Sequence, residues 1–307
     1  MAVHEAGPAV IRSLDMPHTI GVLTTEHIAV GLVDDGRITG KIRIYPEESS
    51  QYSSLVEVPA ETFGEEIAKL AKDLTGGEEV AAIGVGVPGV VRDGVIVESP
   101  NLQQFKGMAL REYLSNVFPG ASVRILNDAD AVAAGLAARD GHLDRLIRVW
   151  TLGTGIGFGR YPLTEGIWEG GHCVVTLDAK EQFCGCGGVG HLEGIMGYRA
   201  MRLRFLDMEP EEVFAAAREG DAKCRTFVKL WHRALAAATG SSIHMDGPGR
   251  FYICGPNARF VDPHLLNLYL METVKMSCLQ GSYLDVIATS ATDELAVIGA
   301  AVSALAL

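Results

Sequence analysis

The chain has 307 residues, a formal net charge of −12 and 48% hydrophobic residues, which allows one large or two modest globular domains. The negative charge argues against a surface for nucleic acid or anionic membrane. No apolar run reaches the roughly 20 residues that a membrane-spanning helix needs, and the N-terminus lacks a signal-peptide pattern. The six cysteines indicate a reducing compartment in a chain of this size. We therefore expect a cytoplasmic protein without nucleic-acid or membrane partners.

The hydrophobic pattern predicts an α/β chain. Residues 18–24 and 27–33 have the pattern of two strands around a turn, and 80–87 is an apolar run typical of a strand covered on both faces. Residues 59–74 place apolar side chains on one helical face, whereas 293–307 are apolar on nearly every face and predict a buried helix. The remaining predicted elements are strands at 122–126, 146–152, 158–161 and 250–253 and helices at 129–139, 192–205 and 222–245.

Asn127 and Asp128 lie where a predicted strand meets an Ala-rich predicted helix. Both residue types are favoured helix N-caps, and Asp130 in the first turn would suit the helix dipole, so a purely structural role is one interpretation. A carboxylate at the end of a strand is also placed to accept a proton from a substrate hydroxyl, if a phosphate-binding element lies nearby.

A glycine-rich turn follows about one strand later. Gly153, Thr154, Gly155 and Gly157 interrupt the apolar pattern and predict a hairpin whose backbone can approach a ligand closely. Its backbone amides and the Thr154 hydroxyl could hold phosphate oxygens. Glycine turns are common in hairpins, and no GK[ST] follows, so this is not a Walker loop.

Two histidines and two cysteines form the most specific pattern in the chain. His172, Cys184, Cys186 and His191 offer a tetrahedral ligand set that suits a structural zinc ion. The alternative is a redox-active CxC pair, which would not need a histidine on each side. The other cysteines stand in apolar surroundings and are expected in the core: Cys173, Cys224, Cys254 and Cys278.

Taken together, these residues resemble the ROK family of bacterial sugar kinases and sugar-responsive repressors, and the resemblance covers most of the chain. The matching segments are GVGVPGVV with Gly86, Pro88 and Gly89, SPNL with Asn101, the pair Asn127 and Asp128, GTGIGFG, EGGH with Glu169 and His172, CGCGGVGHLE, and a terminal AVIGAA. The resemblance implies Asp128 as catalytic base. It implies sugar contacts from Asn101, Asn127, Asp128, Glu169, His172 and Glu193. For the nucleotide, the expected residues are Gly153, Thr154, Gly155, Gly157 and Gly255.

The chain also departs from the family pattern. ROK kinases carry an Asp and two glycines in the turn between the first strands, where phosphates and magnesium are met, but Val22 to Glu26 read VLTTE. Glycine tolerates a positive φ that a β-branched residue does not easily adopt. His191 stands where the family usually has a third cysteine, and Cys254 replaces one of two glycines near the adenosine.

The resemblance implies a two-domain α/β fold of the actin/hexokinase type, with a sugar site in the interdomain cleft. We expect a smaller domain from 1–121, joined by the helix 293–307, and a larger one from 122–292 that holds the zinc segment. The leading function is ATP-dependent phosphorylation of a hexose or N-acetyl-hexosamine, glucokinase-like, with structural zinc and Mg-ATP. We also expect a homo-oligomer, a dimer or a tetramer.

The alternative is a catalytically impaired sugar-binding protein that acts as a sensor or regulatory partner. It follows from the altered segment at Val22 to Glu26 beside a nearly complete sugar side. A ROK repressor would need a helix-turn-helix domain before residue 18, and the residues there are too few to hold one.

Overall fold

The structure, a computed structural model, describes residues 18–46, 54–100, 102–142, 144–164, 166, 169–288 and 291–306. These residues form a five-stranded sheet, a four-stranded sheet and a small hairpin. The strands are β1 (His18–Thr24), β2 (Ile28–Asp34), β3 (Arg37–Tyr45), β4 (Val80–Val87), β5 (Val90–Arg92), β6 (Val95–Glu98), β7 (Ser122–Asn127), β8 (Ile147–Leu152), β9 (Ile156–Tyr161), β10 (Arg250–Cys254) and β11 (Tyr283–Val286). The helices are α1 (Ala60–Thr75), α2 (Leu110–Val117), α3 (Asp128–Arg139), α4 (Leu192–Met196), α5 (Tyr198–Arg204), α6 (Pro210–Glu219), α7 (Ala222–Asp246), α8 (Pro263–Thr273) and α9 (Thr292–Leu305).

The first sheet has the strand order β3-β2-β1-β4-β7. Strands β1, β4 and β7 run parallel, while β2 and β3 lie antiparallel beside β1. The apolar run 80–87 becomes β4, the central parallel strand, and is buried along almost its whole length as predicted. The carboxyl ends of the three parallel strands meet at one edge of the sheet. This edge brings together the turn after Thr24, the loop at Pro88 and the pair Asn127 and Asp128.

The second sheet has the strand order β11-β10-β8-β9. Strands β8, β10 and β11 are parallel, and β9 returns antiparallel to β8, with Leu152 opposite Ile156. The tight β8–β9 hairpin places the glycine turn at the carboxyl end of β8, beside the end of β10 at Cys254. Both sheets are therefore mixed and flanked by helices, as the sequence predicts.

Helix α9 packs between the first sheet and α3, and glycines permit this close approach. A Cβ on Gly21 of β1 or Gly84 of β4 would lie 1.8 Å from a backbone oxygen of α9. A Cβ on Gly135 of α3 would lie 1.9 Å from the oxygen of Leu295, and one on Gly299 would lie 1.8 Å from that of Ala131. The buried, all-round apolar helix predicted at 293–307 is confirmed, and it packs on the sheet of the N-terminal half.

Several predicted boundaries need correction. The helix expected at 192–205 is two helices, α4 and α5, because Gly197 between them has the extended backbone φ −62°, ψ 143°. The strand predicted at 18–24 is confirmed as β1, so the first three residues of the altered VLTTE segment belong to a strand, in which Val22 pairs with Val30 and Val85. The second strand begins at Ile28 instead of 27, and the turn is Thr25 to His27. The elements that were not predicted are the strands β3, β5, β6 and β11 and the helices α2, α6 and α8, most of which are short.

The division of the chain at residue 121 stays a prediction. Strand β7 pairs with β4 and is the last strand of the first sheet. The topology therefore favours a crossing after Asn127, while α9 joins the first sheet as expected. No helix in the described part of the chain has the length and apolarity to cross a membrane.

Candidate functional site in the cleft

Asn127 fixes the end of β7 and the start of α3. Its Oδ1 accepts hydrogen bonds from the N–H groups of Ala129 at 2.8 Å and Asp130 at 3.3 Å, so the expected N-cap is formed. Its Nδ2 donates to the carbonyl of Gly89 at 2.9 Å, which holds the loop after β4 against the helix start. The amide retains one further N–H that can meet a ligand.

Asp128 is the first residue of α3 and the most perturbed carboxylate at this edge. Burial raises the pKa of its carboxyl to about 7, and the nearby charges of Asp130 and Glu169 raise it further, against the opposing effect of backbone N–H groups. Part of the residue still contacts solvent. A carboxylate that titrates near neutrality at the mouth of a cleft suits a general base.

Asp130, two residues after Asp128, contacts the backbone of β9 and has a structural role. Its Oδ1 accepts a hydrogen bond from the backbone N–H of Arg160 at 2.8 Å, which ties α3 to β9. Burial raises the pKa of its carboxyl to about 6, and Arg160 and Arg124 partly offset this.

Glu193 joins the glycine turn to the cysteine segment. Its Oε2 accepts from the N–H of Ile156 at 3.1 Å, and its Oε1 lies 3.5 Å from the Sγ of Cys184. A Cβ on Gly155 would lie 2.5 Å from this Oε2, so a side chain there would displace the Glu193 carboxylate. Within the described residues the N–H groups of Thr154 and Gly155 have no backbone or side-chain partner, and they are the donors that the turn can offer to a phosphate.

The other side of the turn is held by groups that the sequence did not single out. The carbonyl of Gly153 accepts from the N–H of Tyr198 at 3.0 Å and from the Nδ2 of Asn257 at 2.9 Å. Gly255 has φ +91°, and a Cβ there would lie 2.6 Å from the oxygen of Leu152, so glycine is required. Cys254 ends β10 with its thiol fully buried, and burial raises the pKa of that thiol to about 12. Of the two positions at which the family has glycine, this chain therefore keeps glycine at 255, where the backbone requires it.

The four predicted metal ligands converge. Their ligand atoms all lie within 4.8 Å of one another. The Sγ of Cys184 lies 3.4 Å from both the Nδ1 of His172 and the Sγ of Cys186, and the Sγ of Cys186 lies 3.2 Å from the Nδ1 of His191. Ligands around tetrahedral zinc stand roughly 3.3–3.8 Å apart. The donor set and its spacing therefore fit a closed zinc site.

This cluster adjoins the cleft through His172. Because its Nδ1 faces Cys184, its Nε2 is the atom on the side of Glu169, 3.9 Å from that carboxylate. Glu193 follows His191 by two residues and lies in the first turn of α4. The cluster therefore also fixes the position of the Glu193 backbone. Of the other cysteines Cys224 and Cys254 are buried and Cys173 is partly buried, whereas Cys278 is exposed, so the core prediction is wrong for Cys278.

The turn between β1 and β2 forms the remaining wall. The hydroxyl of Thr24 is buried and donates to the carbonyl of Gly86 at 3.0 Å, so its proton is already used. The N–H of Thr25 bonds to the oxygen of His27 at 3.1 Å and closes the turn. The His27 Nε2 lies 2.9 Å from the Oδ2 of Asp293 at the start of α9.

The structure thus connects several of the predicted site residues with one another. Asp128 and Glu169 interact electrostatically, and Glu193 touches the glycine turn and Cys184. Asn101 lies outside the described residues. Asn257, Tyr198, His27 and Asp293 were missed, because each acts through a contact with residues far away in the chain.

By its fold this is a two-sheet α/β protein of the hexokinase-like class. A ROK hexokinase from Thermus thermophilus matches 94% of this chain and 100% of its own at a TM-score of 0.75, with 22% identity. A ROK family glucokinase from Streptomyces griseus, solved with glucose and AMPPNP, matches 94% of this chain and 100% of its own at a TM-score of 0.67, with 24% identity.

The sequence comparisons then give the family. The ROK family model matches residues 25–306, so this chain belongs to the ROK family. Among its relatives is a glucokinase of Thermotoga maritima, which is 31% identical over an alignment 309 positions long. The alignment covers 89% of this chain and 92% of that protein. The predicted family and fold class are confirmed.

Proposed function

We propose that this chain catalyses ATP-dependent phosphorylation of a hexose or N-acetyl-hexosamine in the cleft between its two sheets. The observation that carries the proposal is the Asp128 carboxyl, whose pKa of about 7 suits a base at the carboxyl end of β7. The named activities of the relatives, glucokinase and hexokinase, support it.

The chemistry follows from the placement of this base. Asp128 takes the proton of a sugar hydroxyl as the hydroxyl oxygen bonds to the γ-phosphorus of ATP. The bond from that phosphorus to the β–γ bridging oxygen breaks, and ADP leaves. One carboxylate oxygen of Glu193 bonds to the glycine turn and the other lies beside Cys184, which supports a place for this carboxylate between the proposed phosphate and sugar sides.

The sugar is held by paired carboxylate and amide groups around Asp128. The proposed contacts are Asn101, Asn127, Asp128, Glu169, His172 and Glu193. The Thr154 and Gly155 amides, with Gly153, Gly157 and Gly255 shaping the backbone, would meet the nucleotide. Magnesium would neutralise charge on the phosphates. Closure of the cleft would exclude water, which competes with the sugar hydroxyl as acceptor.

Zinc would be held by His172, Cys184, Cys186 and His191. With all four positions filled by protein, it would be structural and would orient the His172 Nε2 and Glu193 toward the sugar. We further propose a cytoplasmic homo-oligomer, a dimer or a tetramer, with no nucleic-acid partner; the negative charge of the chain supports the last point.

A second candidate is a sugar-binding protein with impaired catalysis. The β1–β2 turn favours it, because the turn has no glycine and the Thr24 hydroxyl is occupied by Gly86. In this case the sugar side would serve a sensor or a regulatory partner.

A coupled kinase assay over a panel of hexoses and amino-hexoses tests the proposal. We expect ADP formation with at least one sugar, and a loss of about 10²–10⁴-fold in Asp128→Asn with sugar affinity retained. If wild type binds a hexose but forms no ADP with any sugar, the second candidate is the correct one. Equal rates in wild type and Asp128→Asn would contradict the role of Asp128.

A further inference from the structure

One ion pair joins the β1–β2 turn to α9 and has no role in the scheme above. The His27 Nε2 lies 2.9 Å from the Asp293 Oδ2, across 266 residues of sequence. The His27 side chain is 18% exposed and that of Asp293 is 39% exposed. The pair therefore joins the turn between β1 and β2 to the first turn of α9, with its imidazole largely shielded from water.

The start of α9 also lies beside the end of β10 in the second sheet. The N–H of Ile287 bonds to the oxygen of Ile253 at 2.8 Å, which continues the pairing of β10 and β11. The Thr292 side chain, at the start of α9, lies close enough to the Cys254 thiol to oppose the burial that raises the pKa of that thiol. The first turn of α9 therefore contacts the β1–β2 turn through Asp293 and the end of β10 through Thr292.

The base of the turn is held by two hydrogen bonds. Thr24 bonds to Gly86 and Thr25 to His27, and these contacts fix the end of β1 and the closure of the turn. A family turn with two glycines can fold its backbone around phosphates, whereas this turn cannot do so easily. The His27 side chain joins the turn to the first turn of α9.

We propose that the His27–Asp293 ion pair positions the β1–β2 turn for the phosphoryl donor, in place of the glycine-rich turn that this chain lacks. His27 is a positioning residue in this scheme and takes no part in the transfer. The proposal rests on the proposed kinase function, and it concerns donor affinity alone, since the pair joins the β1–β2 turn to α9 and neither residue is a proposed sugar contact.

The pair gives donor binding a distinctive pH dependence. The hydrogen bond to Asp293 raises the pKa of His27, burial lowers it, and the charges of Asp293 on α9 and Glu26 on the turn raise it again. The charged pair is thus present below the raised pKa of His27 and is lost as the pH rises through it. Asp128 acts in the opposite direction, because its base form appears as the pH rises through about 7.

The test compares His27→Asn, which cannot reach Asp293, with His27→Gln, whose amide nitrogen can take the place of Nε2 without a charge. We expect the KM for ATP to rise about tenfold in His27→Asn and Asp293→Asn, with the KM for sugar unchanged. His27→Gln should recover part of this affinity at neutral pH. The wild-type KM for ATP should rise at alkaline pH, and in His27→Gln this rise should vanish. The loss of activity at acid pH, which protonation of Asp128 causes, should remain in His27→Gln.

His18→Gln is the matched control, since the His18 Nε2 forms a similar 2.9 Å contact with Glu78 at the other end of β1. It should leave the KM for ATP unchanged. An unchanged KM for ATP in His27→Asn overturns the proposal, as does an equal rise in the KM for ATP and for sugar.

A failure of the kinase function can be told apart from a failure of this proposal. If wild type phosphorylates no sugar, calorimetry with a non-hydrolysable ATP analogue replaces the KM. Analogue binding that is about tenfold weaker in His27→Asn keeps the positioning role while the kinase function fails. No analogue binding by wild type overturns both.

Discussion

At the scale of single residues, Asp128 determines how activity should depend on pH. Its carboxyl must be ionised to accept a proton, and its pKa is about 7. We expect kcat/KM for the sugar to fall by about tenfold per pH unit below that pH. A rate profile across about pH 5 to 8 checks this, and a profile with an inflection near the ordinary aspartate pKa of about 3.9 would contradict the assignment.

The same carboxyl should lower stability at alkaline pH. Its folded pKa lies above the unfolded value, so its contribution is present below about pH 4 and is lost as the pH rises through about 7. Asp128→Asn removes the charge that burial disfavours. We expect its Tm to exceed that of wild type at pH 8 and to approach it at pH 4, as thermal unfolding at the two pH values would show.

Loss of the Glu193 carboxylate should affect both the proposed sugar side and the proposed phosphate side of the site. We predict that Glu193→Ala abolishes detectable binding of the hexose that wild type phosphorylates or binds, because a buried sugar hydroxyl would lose its acceptor. Glu193→Gln can still accept from the Ile156 N–H and so serves as the control for the turn. Calorimetry that finds wild-type affinity in Glu193→Ala would place the sugar elsewhere.

At the scale of elements, the cysteine and histidine segment should depend on a metal ion. We predict about one zinc per chain in protein purified without chelator, and a Tm lowered by at least about 5 °C in Cys184→Ser. Cys278→Ser, at an exposed cysteine outside the cluster, should change neither zinc content nor Tm. Elemental analysis measures the zinc content and thermal unfolding measures the Tm. A wild-type protein that contains no zinc and is nevertheless fully stable would exclude the site.

The β1–β2 turn should limit catalysis without affecting the sugar. Phosphoryl transfer depends on positioning and electrostatic stabilisation, and this turn offers neither glycines nor a free Thr24 hydroxyl proton. We predict readily measured sugar binding but turnover roughly tenfold or more below the 1–100 s⁻¹ typical of kinases. Steady-state kinetics with the preferred sugar are the check. Turnover within that range would show that Thr25, Glu26 and His27 replace the missing residues fully.

At the scale of the whole molecule, α9 holds the N-terminal sheet and α3 together through glycine contacts. Gly84→Ala would set a methyl group 1.8 Å from the backbone oxygen of Ala300, whereas Gly31→Ala would meet side-chain atoms of Val297, Ile38 and Ile42, the nearest at 3.0 Å. We predict a loss of about 3 kcal/mol or more in the free energy of unfolding for Gly84→Ala and a clearly smaller loss for Gly31→Ala. Denaturant titration of both variants measures this, and equal losses would contradict the packing.

The sequence by itself determined the fold class, most elements and the candidate metal ligands. A short apolar run such as Val80–Val87 favours a buried strand, and four side chains that can ligate a metal stand close together along one glycine-rich segment. The N-cap role of Asn127 was also readable, because it depends only on the two residues that follow.

Tertiary structure alone decided the contacts between distant segments. Gly197 breaks a helix that local propensity extends through it, and the pairing of β1 with β2 and β4 is set only when the sheet assembles. Asp128 acquires its raised pKa only when the sheet and helix bury it, and His27 meets Asp293 only once α9 packs on β1. Burial and long-range pairing are properties of the assembled chain, so no local pattern encodes them.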